Sequence, residues 1–253
     1  MKRLILAVLL CYFFCTVNGA VAIARELKYY LLCNEADKAR AEADVAYAKA
    51  KLKDAKASIV LSKADKIFLE TLPKGAFNHS ELDNEKYNKD ASTSIKARKK
   101  RIKRLIGDNI EVIKANDEVA KAYDEAAVAY EKAAKLYAIV ADIKDTKNLK
   151  DDTKITGNKA FAEASKTAEA YAQTAKAYAE AARANIELEI ISKAYNELPR
   201  IPKDETFKEK FSNYLKEGRE ANNRFVKVRI AALNEESKAV KAEAKLMLSF
   251  EHK

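Results

Sequence analysis

The stretch Lys121–Ala141, KAYDEAAVAYEKAAKLYAIVA, decides the fold that this sequence predicts. Its tyrosines Tyr123, Tyr130 and Tyr137 recur every seven residues, and alanines and valines fill neighbouring columns of the same spacing. On a helix these columns merge into one wide apolar face, with the charged residues mainly opposite. A face this wide is typical of a helix buried between two or more neighbours, rather than at the edge of a two-stranded coil.

The same pattern returns 48 residues later, where Tyr171 and Tyr178 repeat Tyr123 and Tyr130, and a fainter echo lies at Tyr47. Duplication of one helix explains the repeat, and so does the convergence of two alanine-rich helices that face one core. In both cases alanine lets helix axes approach closely, while tyrosine supplies bulk and keeps its hydroxyl near the bundle edge. We therefore expect five tyrosines to pack in the core, namely Tyr123, Tyr130, Tyr137, Tyr171 and Tyr178.

The composition predicts long helices stabilised by packing. The 253 residues include no Trp, 5 Gly and 3 Pro, while 34% are charged, and helix breakers are therefore scarce. Cys11 and Cys15 lie in the N-terminal leader described below, so Cys33 stands alone in the rest of the chain. No intrachain disulfide is then expected, and Cys33 is either a half-buried thiol or pairs between chains.

Residues 1–22 have the pattern of a secretory signal peptide. Lys2 and Arg3 precede the apolar run Leu4–Phe14, and small residues suited to cleavage follow. The apolar run is too short to span a bilayer comfortably. We expect residues 23–253 to form a single domain that is secreted or lies on the extracellular face of the plasma membrane. An uncleaved N-terminal anchor is the alternative.

The rest of the chain predicts an all-α fold, an elongated antiparallel bundle of three to four long helices with Ala/Tyr heptad-like packing. The first helix covers about 23–72 and ends at Pro73-Lys-Gly75, and the second runs from about Ser92 to Ile143, with a soft spot at Gly107. A loop over 142–158 precedes a third helix over 159–198. After Pro199-Arg-Ile-Pro202, a fourth helix continues to about Phe250.

The sequence predicts neither a catalytic centre nor a metal or cofactor site. Its two histidines, His79 and His252, lie outside any ligand pattern, and no phosphate-binding glycine motif or Ser-centred nucleophile motif occurs. Asp151-Asp152 offers at most a weak cation site in a loop. Asn78-His-Ser80 is the only Asn-x-Ser/Thr triplet, which makes Asn78 the candidate glycosylation site in a secreted eukaryotic protein.

The one unusual chemical feature is a basic segment, Lys96–Arg104, with seven positive charges and no negative one. The formal net charge of the chain is +10, and removing this segment together with Lys2 and Arg3 leaves about +1. Three interpretations remain open: a solvated helix turn, a site for anionic glycans, lipids or partners, and a proteolytic processing site. Nucleic acid is not expected, because no aromatic residue interleaves the cations. The polyanion-binding candidates are Lys96, Arg98, Lys99, Lys100, Arg101, Lys103 and Arg104.

A secretory leader, long helices rich in Ala, Lys and Glu, few cysteines and no enzyme motif together resemble the alanine-rich helical-bundle surface proteins of trypanosomes. That group includes the glutamate/alanine-rich and bloodstream alanine-rich coat proteins and, more distantly, the haptoglobin-haemoglobin receptor. The resemblance covers residues 23–253 and implies an extended bundle displayed at the cell surface in host–parasite contact.

The expected function is therefore that of a non-enzymatic coat, adhesin or receptor-type scaffold, which recognises its partners through end loops and the basic segment. The expected partner is a protein, an anionic glycan or a lipid at a cell surface, and assembly into a homo-oligomer is left open. No cofactor, nucleic acid or transmembrane span is expected in the mature chain. The alternative is an exchangeable lipid-binding or membrane-binding helical protein.

Overall fold

A computed structural model describes residues 2–71, 91–143, 151–197 and 205–251 of the chain. These residues form four helices: α1 Lys2–Thr71, α2 Ala91–Ala141, α3 Asp151–Glu197 and α4 Glu205–Glu251. The helices pack against one another, and no strand occurs in these four ranges. The prediction of an all-α helical bundle is confirmed.

Prolines bound the helices where the sequence predicted a break. Helix α1 ends at Thr71, two residues before Pro73, and α3 ends at Glu197, two residues before Pro199. The residue before a proline avoids the helical region, because the proline ring clashes with its backbone. Helix α2 continues through Gly107 to Ala141.

The predicted start of the third helix was wrong. Residues 151–158, assigned to a loop, form the first two turns of α3. The sequence gives the reason, because Asp151 and Asp152 favour a helix N-terminus through the macrodipole. Gly157 costs only about 1 kcal/mol inside a helix, which the packing of the long remainder offsets. The predicted weak cation site at Asp151-Asp152 thus falls on a helix rather than in a loop.

The chain divides into two compact units, and each takes a segment from all four helices. Unit 1 contains Met1–Ala46, Ala126–Thr174 and Asn234–Lys253, and unit 2 contains Tyr47–Glu125 and Ala175–Leu233.

In unit 1 the interior is built from alanine columns closed by tyrosines. Ala36, Ala43, Ala126 and Ala133 are wholly buried, and Tyr130 is 1% exposed. Ser165 of α3 reaches across to α2, where its hydroxyl donates to the carbonyl oxygen of Ala134 at 2.9 Å. Alanine at these positions is what allows the helices to approach closely enough for that hydrogen bond.

In unit 2 the same residue types fill the core. Ala50, Ala181 and Ala232 are wholly buried on α1, α3 and α4, and Val112 is wholly buried on α2. The ring of Tyr123 is fully buried and lies edge-on to Tyr47, with the centroids 5.9 Å apart. The tyrosine that the sequence marked as a faint echo therefore contacts the tyrosine repeat itself.

Candidate functional site

Unit 1 contains a largely buried cation that contacts two aromatic rings, in a group that we call the Arg40 cluster: Arg40, Asp44, Tyr130, Tyr171 and Glu243. The guanidinium carbon of Arg40 lies 5.2 Å from the ring centre of Tyr130 and 5.0 Å from that of Tyr171. The two rings stack on each other with centroids 5.2 Å apart. Because these residues come from α1, α2, α3 and α4, one cluster joins all four helical segments of the unit.

Carboxylates complete the Arg40 cluster. Arg40 Nε donates to Asp44 Oδ1 at 2.9 Å, and its Nη2 lies 3.4 Å from Glu243 Oε1. The Tyr130 hydroxyl donates to Asp44 at 2.6 Å, and the Tyr171 hydroxyl donates to Glu243. Each carboxylate therefore serves both the cation and a phenol, so the polar groups of the cluster satisfy one another.

The electrostatics of the cluster hold these groups in fixed protonation states. Burial lowers the pKa of Arg40, but Asp44, Tyr130 and Glu243 outweigh it and leave the pKa raised. Burial, followed by the hydrogen bond to Asp44, raises the pKa of Tyr130 well above its usual range. Burial and Glu243 do the same for Tyr171. Arg40 stays charged and the phenols stay neutral at physiological pH, as suits a structural contact rather than proton transfer.

A second tyrosine on α2 repeats the phenol–carboxylate contact within unit 1. The Tyr137 hydroxyl donates to Asp37 at 2.9 Å, and its ring stacks near Phe161 of α3. Burial and then Asp37 raise the pKa of Tyr137. Asp37 and Asp44 are seven residues apart on α1, as Tyr137 and Tyr130 are on α2, so the matched spacing pairs both acids with both phenols.

Unit 2 contains a related arrangement, which we call the Tyr178 cluster: Lys51, Asp54, Tyr123, Tyr178 and Arg229. The Lys51 ammonium lies 4.4 Å from the ring centre of Tyr178, and the Arg229 guanidinium carbon lies 5.0 Å from it. The other contact of Arg229 is with Asp54 Oδ2, at 3.2 Å from Nη2. These residues again come from all four helices, and cations are drawn to the ring because its face carries negative charge.

A cavity of about 110 Å³ adjoins Arg229 within unit 2. Asn116 and Asn185 line it although each is only 6% exposed, and Asn116 Nδ2 donates to the carbonyl oxygen of Val112 at 2.9 Å. A polar cavity of this volume has room for several water molecules. The full lining consists of Asp54, Ala57, Ser58, Leu61, Asn116, Ala181, Ala182, Asn185, Phe225 and Arg229.

The structure describes the backbone of the basic segment but not the side chains of the surface sites predicted from the sequence. The basic segment Lys96–Arg104 lies on α2 in its first turns, but the side chains of Lys96, Arg98, Lys99, Lys100, Arg101, Lys103 and Arg104 are outside the described part of the chain. Asn78 and both histidines also lie outside it. Polyanion binding and glycosylation therefore stay predictions.

The other predicted residues fall within the described ranges. Tyr123, Tyr130, Tyr137 and Tyr178 are buried, and Tyr171 is half-buried. Cys33 is a free, half-buried thiol, and burial raises its pKa. Across the described ranges, no helix has a stretch long and apolar enough to cross a membrane, and no group of three His, Cys, Asp or Glu residues is arranged to hold a metal ion.

Sequence reasoning missed the cations of both clusters. Arg40 stands one position after the buried Ala39, on an alanine-rich stretch of α1. A signal was present, since Asp37 and Asp44 repeat the seven-residue spacing of the tyrosines. Arg229 has no such pattern, because its partners Asp54 and Tyr178 lie on other helices.

Comparison with known proteins gave no match: no family model, no curated protein and no solved structure is similar to this chain. The likeness to trypanosome surface proteins thus rests on the sequence features given above.

Proposed function

We propose that this protein is a non-enzymatic, secreted or cell-surface helical bundle that acts as a coat, adhesin or receptor-type binding scaffold. The observation that carries the proposal is that the interior polar groups of unit 1 bind one another. In the Arg40 cluster every charge and phenol is directed at another member of the cluster, and the effect is to join helices. Reactive chemistry needs groups directed at a substrate instead.

The size of the cavity beside Arg229 agrees with this proposal. Pockets for drug-sized ligands usually enclose about 300–1,000 Å³, whereas this cavity measures about 110 Å³. We place recognition of a protein, glycan or lipid partner at the surface of the bundle. The basic segment Lys96–Arg104 is the part of the sequence with the strongest local charge, and its expected ligand is a sulfated or otherwise polyanionic partner.

A heparin column eluted with a salt gradient tests the polyanion site. The triple substitution of Lys99, Lys100 and Arg101 by Gln should move elution to clearly lower salt, because each lost cation removes an ionic contact. The matched control replaces Lys114, Lys132 and Lys135 by Gln, which removes the same charge from exposed positions further along α2. If the two variants eluted at equally lowered salt, the heparin column would be retaining the protein through its net charge and not through the basic segment.

A second candidate function, binding to a lipid surface, is favoured by one observation. Large apolar side chains such as Leu27, Leu52 and Met247 are 58%, 58% and 60% exposed. Flotation with neutral and anionic vesicles separates the two functions: a lipid binder should float with neutral vesicles, whereas a polyanion-binding scaffold should float only with anionic ones, and less as salt rises.

A further inference from the structure

Helix α4 carries a second apolar face on the side that the bundle does not cover. Its core-facing residues include Ala221, Ala232 and Ala239, which are buried. Roughly opposite them, apolar or small residues recur at alternating spacings of four and three. This exposed seam consists of Val226, Ile230, Leu233, Ser237, Val240, Ala244 and Met247.

Five of the seven side chains in the exposed seam are large and apolar. Val226, Ile230, Leu233, Val240 and Met247 are between 45% and 60% exposed. A solvated helix face normally presents charged residues at such positions. The alternation of four and three residues is instead the seam of a coiled coil, where each side chain fills a hole formed by a facing helix.

The width of the seam argues for a helix as its occupant. Lys227, Glu236 and Lys241 stand directly beside the seam residues, so the apolar stripe is narrow. A helix that lies in a membrane surface needs a broad apolar face with its charges far from it. A narrow stripe with flanking charges fits a two-stranded contact, where the flanking residues of the two strands pair across the seam.

The flanking charges identify the partner helix and its direction. In a parallel, in-register pair of α4 helices, Glu236 of one copy stands beside Lys241 of the other, five residues on, and the contact occurs twice by symmetry. An antiparallel pair centred on the seam would instead bring Lys227 near Lys241 and Glu236 near its own counterpart. Like charges so placed are unfavourable. Only the parallel pair is complementary in charge.

From this seam we infer that α4 packs in parallel against α4 of a second copy of the chain, forming a two-fold dimer. Ile230, Ser237 and Ala244 then meet their own counterparts on the axis, and so do Val226, Leu233, Val240 and Met247. At one repeat of the seam, Ile230 and Leu233 stand in the order that favours two strands in parallel coiled coils; the other repeats carry Val, Ser, Ala and Met. The dimer goes beyond the proposed function, because it requires neither a polyanion nor a lipid.

Sedimentation equilibrium over a range of protein concentrations tests the dimer. The native chain should show a monomer–dimer equilibrium, and Leu233→Lys should abolish it while leaving the helical circular dichroism unchanged, since Leu233 is exposed. The matched control is Leu52→Lys, an equally exposed leucine on α1, which should leave the equilibrium as it is. A chain that stays monomeric throughout, or a dimer lost equally in both variants, would overturn the inference.

Charge variants test the direction. Glu236→Lys and Lys241→Glu should each raise the dimer dissociation constant about tenfold, since each removes two favourable contacts and adds two unfavourable ones, and the double exchange should restore it. Lys245→Glu, the same change away from the seam, should have little effect. Tighter association of Lys241→Glu would mean an antiparallel pair and would refute the proposal. In a Cys33→Ser background, Ala244→Cys should form a disulfide between copies, because this residue lies near one end of the seam and meets itself only in the parallel register.

Discussion

The ring of Tyr123 stacks on the ring of Tyr178 with the centroids 5.1 Å apart and the planes inclined by 16°. This contact joins α2 to α3 at the centre of unit 2, where both side chains are almost fully buried. Lys51 and Arg229 approach the same Tyr178 ring from α1 and α4. Tyr178 therefore participates in the contacts of all four helical segments of its unit.

Tyr178→Ala should lower the free energy of unfolding by about 3–5 kcal/mol, the usual range for removing a buried aromatic side chain. Chemical denaturation followed by circular dichroism measures the change. The control is Val128→Ala on an exposed site, with an expected change within about 0.5 kcal/mol. Equal losses of stability in the two variants would contradict the burial of the Tyr178 side chain in the core of unit 2.

Arg40→Ala should destabilise the protein by about 1–2 kcal/mol, because it removes the guanidinium from the Tyr130 and Tyr171 rings, while Asp44 and Glu243 are 51% and 33% exposed and are screened by water. Arg40→Lys should recover only part of that loss, since an ammonium lacks the planar group that stacks on Tyr130 and Tyr171. Denaturation curves of both variants give the comparison.

The control for Arg40 is Lys121→Ala, which breaks an exposed pair with Asp117 at 2.6 Å. This substitution should leave the stability nearly unchanged, because water screens an exposed ion pair. A lysine variant as stable as the native chain would show that charge alone, without ring contacts, accounts for the role of Arg40.

The seven-residue tyrosine spacing predicted the fold class because it is a local property of one helix. The burial of Tyr123 and Tyr130 depends only on which face of α2 points inward, and the sequence contains that information. The cluster around Arg40 depends on Tyr171 and Glu243, which lie more than a hundred residues away in the chain. A single sequence shows neither which helices become neighbours nor their register, so long-range pairs of this kind were not predictable. The start of α3 was missed for a local reason, because Gly157 and the polar residues before it resemble a loop.

Stability should fall as the pH rises above 10. Burial and then the Cys33 side chain raise the pKa of Tyr29 from 10.0 to about 12, and the pKa values of Tyr130, Tyr137 and Tyr171 are raised further. In that range the unfolded chain loses phenol protons that the folded chain retains, so the unfolded state binds fewer protons and the free energy of unfolding decreases with pH. Below pH 10 these phenols are neutral in both the folded and the unfolded state, so they do not make the free energy of unfolding depend on pH.

Denaturation midpoints measured from neutral pH to pH 12 check this expectation. Tyr137→Phe should make the alkaline loss less steep, since it removes one phenol whose folded pKa is raised. Val128→Ala should keep the native slope. A native chain with constant stability up to pH 12 would contradict the assigned hydrogen bonds to Asp37 and Asp44.

Gly107→Ala and Gly218→Ala should each stabilise the protein by about 0.5–1 kcal/mol, because both glycines lie inside helices, where glycine is less favourable than alanine. An added methyl group at Gly107 meets no atom within 4 Å, and one at Gly218 meets Ile191 Cγ2 at 3.7 Å, an ordinary contact. Thermal midpoints should rise by about 1–4 °C in each case. A lower midpoint for Gly218→Ala alone would mean that α3 and α4 pack more closely at Ile191 than this distance indicates. A lower midpoint for Gly107→Ala would mean that α2 does not continue as a regular helix through that residue.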